Sequence, residues 1–149
     1  TGDRVGIASY GPEECWLEPS TGEKHRATAR RLLADHPAFS VSPSDEPFYP
    51  SISLRRLRSR LPADAQIMLF SPLTDDYIAR VAERLDAYGH QLTLVSPDPT
   101  TDDDATHRFA RLERDARLRE LRGYGIRVVD WGERPLAVEL TRATRRWSR

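Results

Sequence analysis

The feature that most constrains this chain is a short apolar strand followed at once by a polar turn and a helix start. Residues 67–70 are four consecutive apolar residues, a run typical of a parallel strand that is buried on both faces. Ser71 and Pro72 end the run, and Thr74, Asp75 and Asp76 open an amphipathic helix. The turn therefore lies at the carboxyl end of a strand, where open α/β sheets build their sites.

The same order of strand and helix repeats through the second half of the chain. The patterns predict a helix at 74–89, a strand at 92–95, a helix that begins at 102–104, a strand at 126–131 and a helix at 135–147. Right-handed crossovers between such units require a parallel sheet covered by helices. The inward-facing residues expected on the three helices are Tyr77, Ile78, Val81 and Leu85; Phe109, Leu112, Ala116 and Leu121; and Leu136, Leu140, Ala143 and Trp147.

The first half is expected to add a hairpin and two helices. Strands at 4–10 and 15–18 are close enough to pair, and Pro19 favours an edge position for the second. Ser20 and Glu23 have the spacing of a capping box and predict a helix that stops before His36. Residues 36–50 form a long surface loop, and Ser51 or Ser53 is expected to cap the next helix.

These elements predict one α/β domain over residues 1–149. We expect a Rossmann-like three-layer sandwich, with a mostly parallel sheet and an antiparallel edge hairpin. The net charge of zero gives no whole-chain reason to expect nucleic acid, and the arginine clusters are interpreted as solvated helix faces. No apolar run is long enough to cross a bilayer, and Cys15 is the single cysteine. A cytoplasmic setting is therefore expected.

Carboxylates at the predicted strand ends are the candidates for chemistry. Asp75, Asp76, Asp98 and Asp130 could together form the hard-oxygen site that Mg²⁺ prefers. One hypothesis is thus an Mg²⁺- or Mn²⁺-dependent hydrolase or phosphoryl-transfer enzyme. Ordinary helix-start and turn roles explain the same residues, and on these features alone they are the favoured interpretation. The sequence contains none of the common catalytic or nucleotide-binding motifs, so it names no catalytic and no cofactor-binding residue.

A series of short motifs, in a fixed order, resembles the family called domain of unknown function 58. The motifs are Gly2 to Ile7, Pro19 and Gly22 ahead of a His-Arg helix, Ser71 to Asp76, Gly89 with His90, Leu112 to Arg114, and Gly125 to Trp131. Members of this family resemble von Willebrand factor A domains and are often encoded beside MoxR-type AAA+ ATPases. The resemblance covers nearly the whole chain.

The resemblance implies a non-enzymatic protein-interaction domain. Its partner would be a MoxR-type ATPase or a protein that this ATPase remodels. A-domains hold a metal ion at the strand tips, and by position Ser51 and Asp75 stand where two of its ligands would lie. The Asp-x-Ser-x-Ser loop that supplies most ligands is absent. The resemblance implies that this loop precedes Thr1 in a longer protein, which would bind Mg²⁺ and could carry a membrane anchor outside this chain.

Overall fold

A computed structural model describes residues 2–40, 42, 44–98 and 105–147, with side chains as far as residue 142. The chain divides into two compact units, Thr1–Leu61 and Pro62–Arg149, and each unit is described by itself. The architecture is mixed α/β, with a two-stranded antiparallel sheet in the first unit and a three-stranded parallel sheet in the second. The predicted α/β class is therefore confirmed. Its likeness to an A-domain stays a prediction.

The amino-terminal unit combines a hairpin with two helices. Its elements are β1 (Val5–Ala8), β2 (Trp16–Ser20), α1 (Glu23–Asp35), a 3₁₀ turn at Pro37–Phe39 and α2 (Pro50–Arg60). The predicted hairpin is confirmed: β1 and β2 pair antiparallel, with Ile7 opposite Leu17 and Ala8 opposite Trp16. They form a sheet of their own, however, and not an edge of the parallel sheet as expected.

Both helices of this unit begin differently from the prediction. Ser20 lies in β2, and the residue that precedes α1 is Gly22, whose φ of 97° is open to glycine without strain. The capping-box prediction was therefore wrong. Helix α2 begins at Pro50, because a proline fits the first helical position, where its missing N–H is not needed. Tyr49 is the cap residue, so neither Ser51 nor Ser53 caps α2.

The carboxy-terminal unit has the predicted alternation of strands and helices. Its elements are β3 (Gln66–Phe70), α3 (Tyr77–Ala87), β4 (Gln91–Pro97), α4 (Ala105–Gly123), β5 (Arg127–Trp131) and α5 (Leu136–Trp147). The strands are parallel in the order β3–β4–β5. The predicted helix start at 102–104 and the side chains of Ala143 and Trp147 lie outside what the structure describes.

The core of this unit lies between the sheet and its helices. Leu94 of β4, Leu85 of α3 and Leu121 of α4 are fully buried. The prediction for α3 was correct for Val81 and Leu85, which are buried, but wrong for Tyr77, which is exposed. Tyr77 is the first residue of its helix, and a first-turn side chain is free to turn away from the sheet.

Strand β3 departs most clearly from the expectation of burial on both faces. Met68 is 48% exposed and Phe70 is 54% exposed, while Ile67 and Leu69 are partly covered. In the parallel register Phe70 lies beside Val95, which is fully buried. The packing that covers Val95 therefore does not extend to β3, because β3 is the end strand of its sheet.

Helix α4 buries Leu121 as predicted, but not the other three residues expected to face inward. Phe109 and Leu112 are 65% and 63% exposed, and Ala116 is exposed as well. The buried residues of α4 are Arg114, Leu118 and Leu121, which are spaced four and three residues apart. The apolar residues of α4 did not predict its buried face, because one position on that face is an arginine. This arginine is buried with polar partners at the strand ends.

Candidate functional site

The carboxyl ends of the three parallel strands form one polar edge, which is the candidate site. Ser71 follows β3 and donates its backbone N–H to the carbonyl of Val95 at 3.0 Å. Ser96 of β4 lies beside Asp130 of β5 in the register, so both side chains are on the same face. Ser71 and Ser96 are buried. Of the four aspartates proposed from the sequence, the register thus places Asp130 beside Ser96 at this edge.

Arg114 of α4 ties two of these strand ends together. Its Nη2 donates to the Ser96 carbonyl at 2.9 Å, to the Ser96 hydroxyl at 3.1 Å and to Asp130 Oδ1 at 2.7 Å. The residue is only 3% exposed. A buried guanidinium is stable only when its charge and donors are met. Here Asp130 supplies the charge and Ser96 supplies two acceptors, although Arg114 Nε has no hydrogen-bond partner among the described residues.

The turn after β3 is held in an unusual conformation. Leu73 has a φ of +55° and is fully buried. A non-glycine residue in this left-handed region costs roughly 1 kcal/mol. Two contacts hold it there: the Leu73 N–H donates to Ser71 Oγ at 3.2 Å, and Arg117 Nη1 donates to the Leu73 carbonyl at 3.2 Å. Burial of the leucine side chain also offsets the cost.

Asp75 and Asp76, which follow this turn, have separate partners. Asp75 is exposed, and its Oδ1 accepts the backbone N–H of Tyr77 at 2.9 Å, a local turn that leads into α3. Asp76 Oδ1 accepts from Arg117 Nε at 2.7 Å. This hydrogen bond, followed by the positive charge of Arg117, holds the pKa of Asp76 below its ordinary value of 3.8.

The two predicted metal ligands lie in different units. Ser51 is the second residue of α2 in the amino-terminal unit and is exposed, whereas Asp75 lies in the carboxy-terminal unit. Their assignment as metal ligands stays a prediction. Within residues 2–40, 42, 44–98 and 105–147, no three His, Cys, Asp or Glu side chains are close enough together to hold a metal ion.

The four aspartates of the alternative hypothesis are placed by this geometry as follows. Asp76 and Asp130 each accept a charge-assisted hydrogen bond from an arginine of α4, and Asp75 accepts a backbone N–H. Asp98 follows β4, and its backbone N–H donates to the Trp131 carbonyl at 3.0 Å. A divalent cation at Asp76 or Asp130 would have to compete with a guanidinium that already neutralises the carboxylate. These contacts hold the ends of the strands in position.

Sequence reasoning missed the role of Arg114, although the residue was noted as part of a motif. A signal was present, because Arg114 precedes Leu118 by four residues and Leu121 by seven, which places all three on one helix face.

Comparison with protein-family models, curated proteins and solved structures found no match. None of the described helices combines the length and the apolar character needed to cross a membrane.

Proposed function

We propose that this protein is a non-enzymatic protein-interaction domain that binds its partner along strand β3. The observation that carries the proposal is the exposure of Met68 and Phe70 on the end strand of the parallel sheet. Charged side chains, prolines and bulges protect many sheet edges against pairing. Residues 66–70 have none of these protections.

The physical reason is that β3 offers two kinds of interaction at once. An added strand would pair with the backbone groups on the outer side of β3, as in recognition by strand addition. The same partner could cover Met68 and Phe70, whose full burial stabilises by about 1.5–3 kcal/mol per side chain. Because each is about half covered already, we expect roughly 1 kcal/mol from each side chain in the complex.

The chemistry of the partner follows from this surface. It should present an extended segment with an apolar side chain at every second residue, because alternate positions of a strand face the same side. The motif resemblance favours a MoxR-type AAA+ ATPase, or a protein that such an ATPase remodels. As part of this proposal, a Mg²⁺ ion held by Asp75 in the intact protein would bridge to a partner carboxylate.

The test is calorimetric titration with a purified MoxR-type AAA+ ATPase. We expect Met68→Ser and Phe70→Ser each to weaken binding about fivefold, which corresponds to roughly 1 kcal/mol. The matched control is Tyr124→Ser, since Tyr124 is comparably exposed but follows α4. Equal losses in all three variants, or no loss at β3, would refute a β3 docking surface.

A chelator separates the metal part of the proposal from the docking surface. If Mg²⁺ bridges the partners, removal of the ion and the variant Asp75→Ala should weaken binding by the same factor, and Asp75→Ala should remove the effect of the chelator. Unchanged binding in chelator would end the metal bridge and leave the strand-addition surface in place.

A further inference from the structure

The amino-terminal unit contains a cavity of about 320 Å³ that the proposed function does not use. One wall is a face of α2 that carries Arg56 and Arg60. The hairpin supplies Trp16, and the loop before α2 supplies Phe48 and Tyr49. All the residues that line it belong to the amino-terminal unit. Its volume is at the lower end of the range for small-molecule sites, and aromatic walls with a few convergent charges are typical of them.

Contacts around the cavity hold its walls in place. In the hairpin turn, the Cys15 N–H donates to Ser9 Oγ at 2.8 Å. The Tyr10 hydroxyl donates to the Pro50 carbonyl at 3.1 Å, which connects the turn to the start of α2. The Tyr10 ring also meets the Phe48 ring edge-on, with 5.2 Å between centroids. The cavity is thus preformed, so that a ligand would need little rearrangement of the protein.

The charges in the cavity are arranged around one carboxylate. The Glu14 carboxylate forms an ion pair with Arg60 at 2.7 Å and accepts a hydrogen bond from Arg56 at 3.2 Å. The Arg60 guanidinium also lies over the Trp16 ring, 5.8 Å from its centroid. Two arginines therefore surround one acidic group, which leaves one positive charge in excess. Glu14 occupies the position that the oxyanion of a ligand would take.

We propose that this cavity binds a small ligand that carries a carboxylate or phosphate attached to a flat ring. The oxyanion replaces Glu14 on Arg56 and Arg60, whose planar guanidinium groups match both kinds of oxyanion. The Glu14 pairs are about half exposed, and exposed pairs contribute little stability, so their replacement costs little. The ring of the ligand packs against the aromatic walls beside Trp16.

The experiment titrates the full chain with AMP, benzoate and inorganic phosphate. Binding is followed by the ¹H–¹⁵N signal of the Trp16 indole, which Trp16→Phe identifies. We expect a saturable shift with AMP or benzoate, and much weaker binding of inorganic phosphate, which has no ring. AMP and benzoate distinguish a phosphate ligand from a carboxylate ligand. No saturable shift with either one would overturn the proposal, and phosphate binding as tight as AMP binding would overturn the role of the ring.

Three variants test the assignment of the charges. Arg56→Gln should weaken binding about tenfold, because a charge-assisted hydrogen bond is lost. Glu14→Gln should tighten it about threefold, because the internal competitor is removed. Arg55→Gln removes the same charge from α2 but does not line the cavity, and should leave binding unchanged. Equal weakening by Arg55→Gln and Arg56→Gln, or weakening by Glu14→Gln, would overturn the assignment. No partner protein is present, so the outcome is independent of the docking surface on β3.

Discussion

The substitution Arg114→Met tests whether α4 holds the ends of β4 and β5 together through one buried guanidinium. Methionine keeps most of the apolar stem of the arginine and removes only its charge and its donors. Three hydrogen bonds are lost, two to Ser96 and one to Asp130. The change therefore separates the polar contribution of Arg114 from its packing.

The magnitude follows from the burial of the two partners. Ser96 is fully buried, and a buried acceptor that loses its donor costs about 1–3 kcal/mol. The side chain of Asp130 is 46% exposed, so water can replace the arginine there, and this pair contributes less than about 1 kcal/mol. We therefore expect Arg114→Met to reduce the free energy of unfolding by about 2–3 kcal/mol.

The assay is urea unfolding followed by circular dichroism, together with amide hydrogen exchange in β4 and β5. With a urea dependence of about 2 kcal/mol per molar, the midpoint should fall by roughly 1 M. Arg119→Met is the matched control on the same helix, because Arg119 is exposed and its Nε donates to the Asp115 carbonyl at the helix surface. It should change stability by less than about 0.5 kcal/mol. Asp130→Asn removes the carboxylate that meets the buried guanidinium, so it should cost at least as much as Arg114→Met. An unchanged midpoint for either variant would refute the reasoning.

Three further predictions concern other parts of the chain. The pKa of Asp76 is depressed, so its pair with Arg117 stabilises the fold above pH 3.8 and loses this effect as the pH falls through the lower pKa of the folded state. A carboxyl ¹³C titration of Asp76 should show a midpoint below 3.8, and this midpoint should rise in Arg117→Gln. Gly6→Ala should destabilise the hairpin by about 1–3 kcal/mol, because the added Cβ would lie 2.9 Å from the Leu17 carbonyl oxygen. Gly11→Ala is the control, because a Cβ there meets nothing within 4 Å. Thermal unfolding compares the stability of the two variants. Burial raises the pKa of the Cys15 thiol, so a disulfide reagent should modify it more slowly in the folded protein than in urea, and equal rates would contradict this.

The fold of the second unit could be predicted because its signals are local and periodic. The apolar runs at β3, β4 and β5 and the glycines that end α3 and α4 required no knowledge of long-range contacts. The starts of α1 and α2 could not be predicted in the same way. Several residues near each start have suitable chemistry, and the choice among them depends on where β2 ends and on the proline at the first position of α2.

The sequence predicted where the site lies in the fold but not which side chains contact one another there. The order of strand and turn indicated the polar edge, and the structure brings Ser71, Ser96 and Asp130 to it. The partner of Ser96 and Asp130 is Arg114 of α4, which is distant in sequence from both strand ends. Its one local signal is the spacing that places it on the helix face of Leu118 and Leu121. The exposed Arg119 has the same residue type but lies outside that spacing.

The two arginines of α4 also bear on how strand β3 could bind a partner. Arg114 fixes the ends of β4 and β5, and Arg117, one turn further along α4, fixes the turn that follows β3. One helix therefore holds the ends of all three strands, while no other strand among the described residues pairs with the outer side of β3. A strand that is already held in its bound conformation loses little conformational entropy on pairing. The polar edge would then serve binding indirectly, because it keeps β3 in the geometry that an added strand requires.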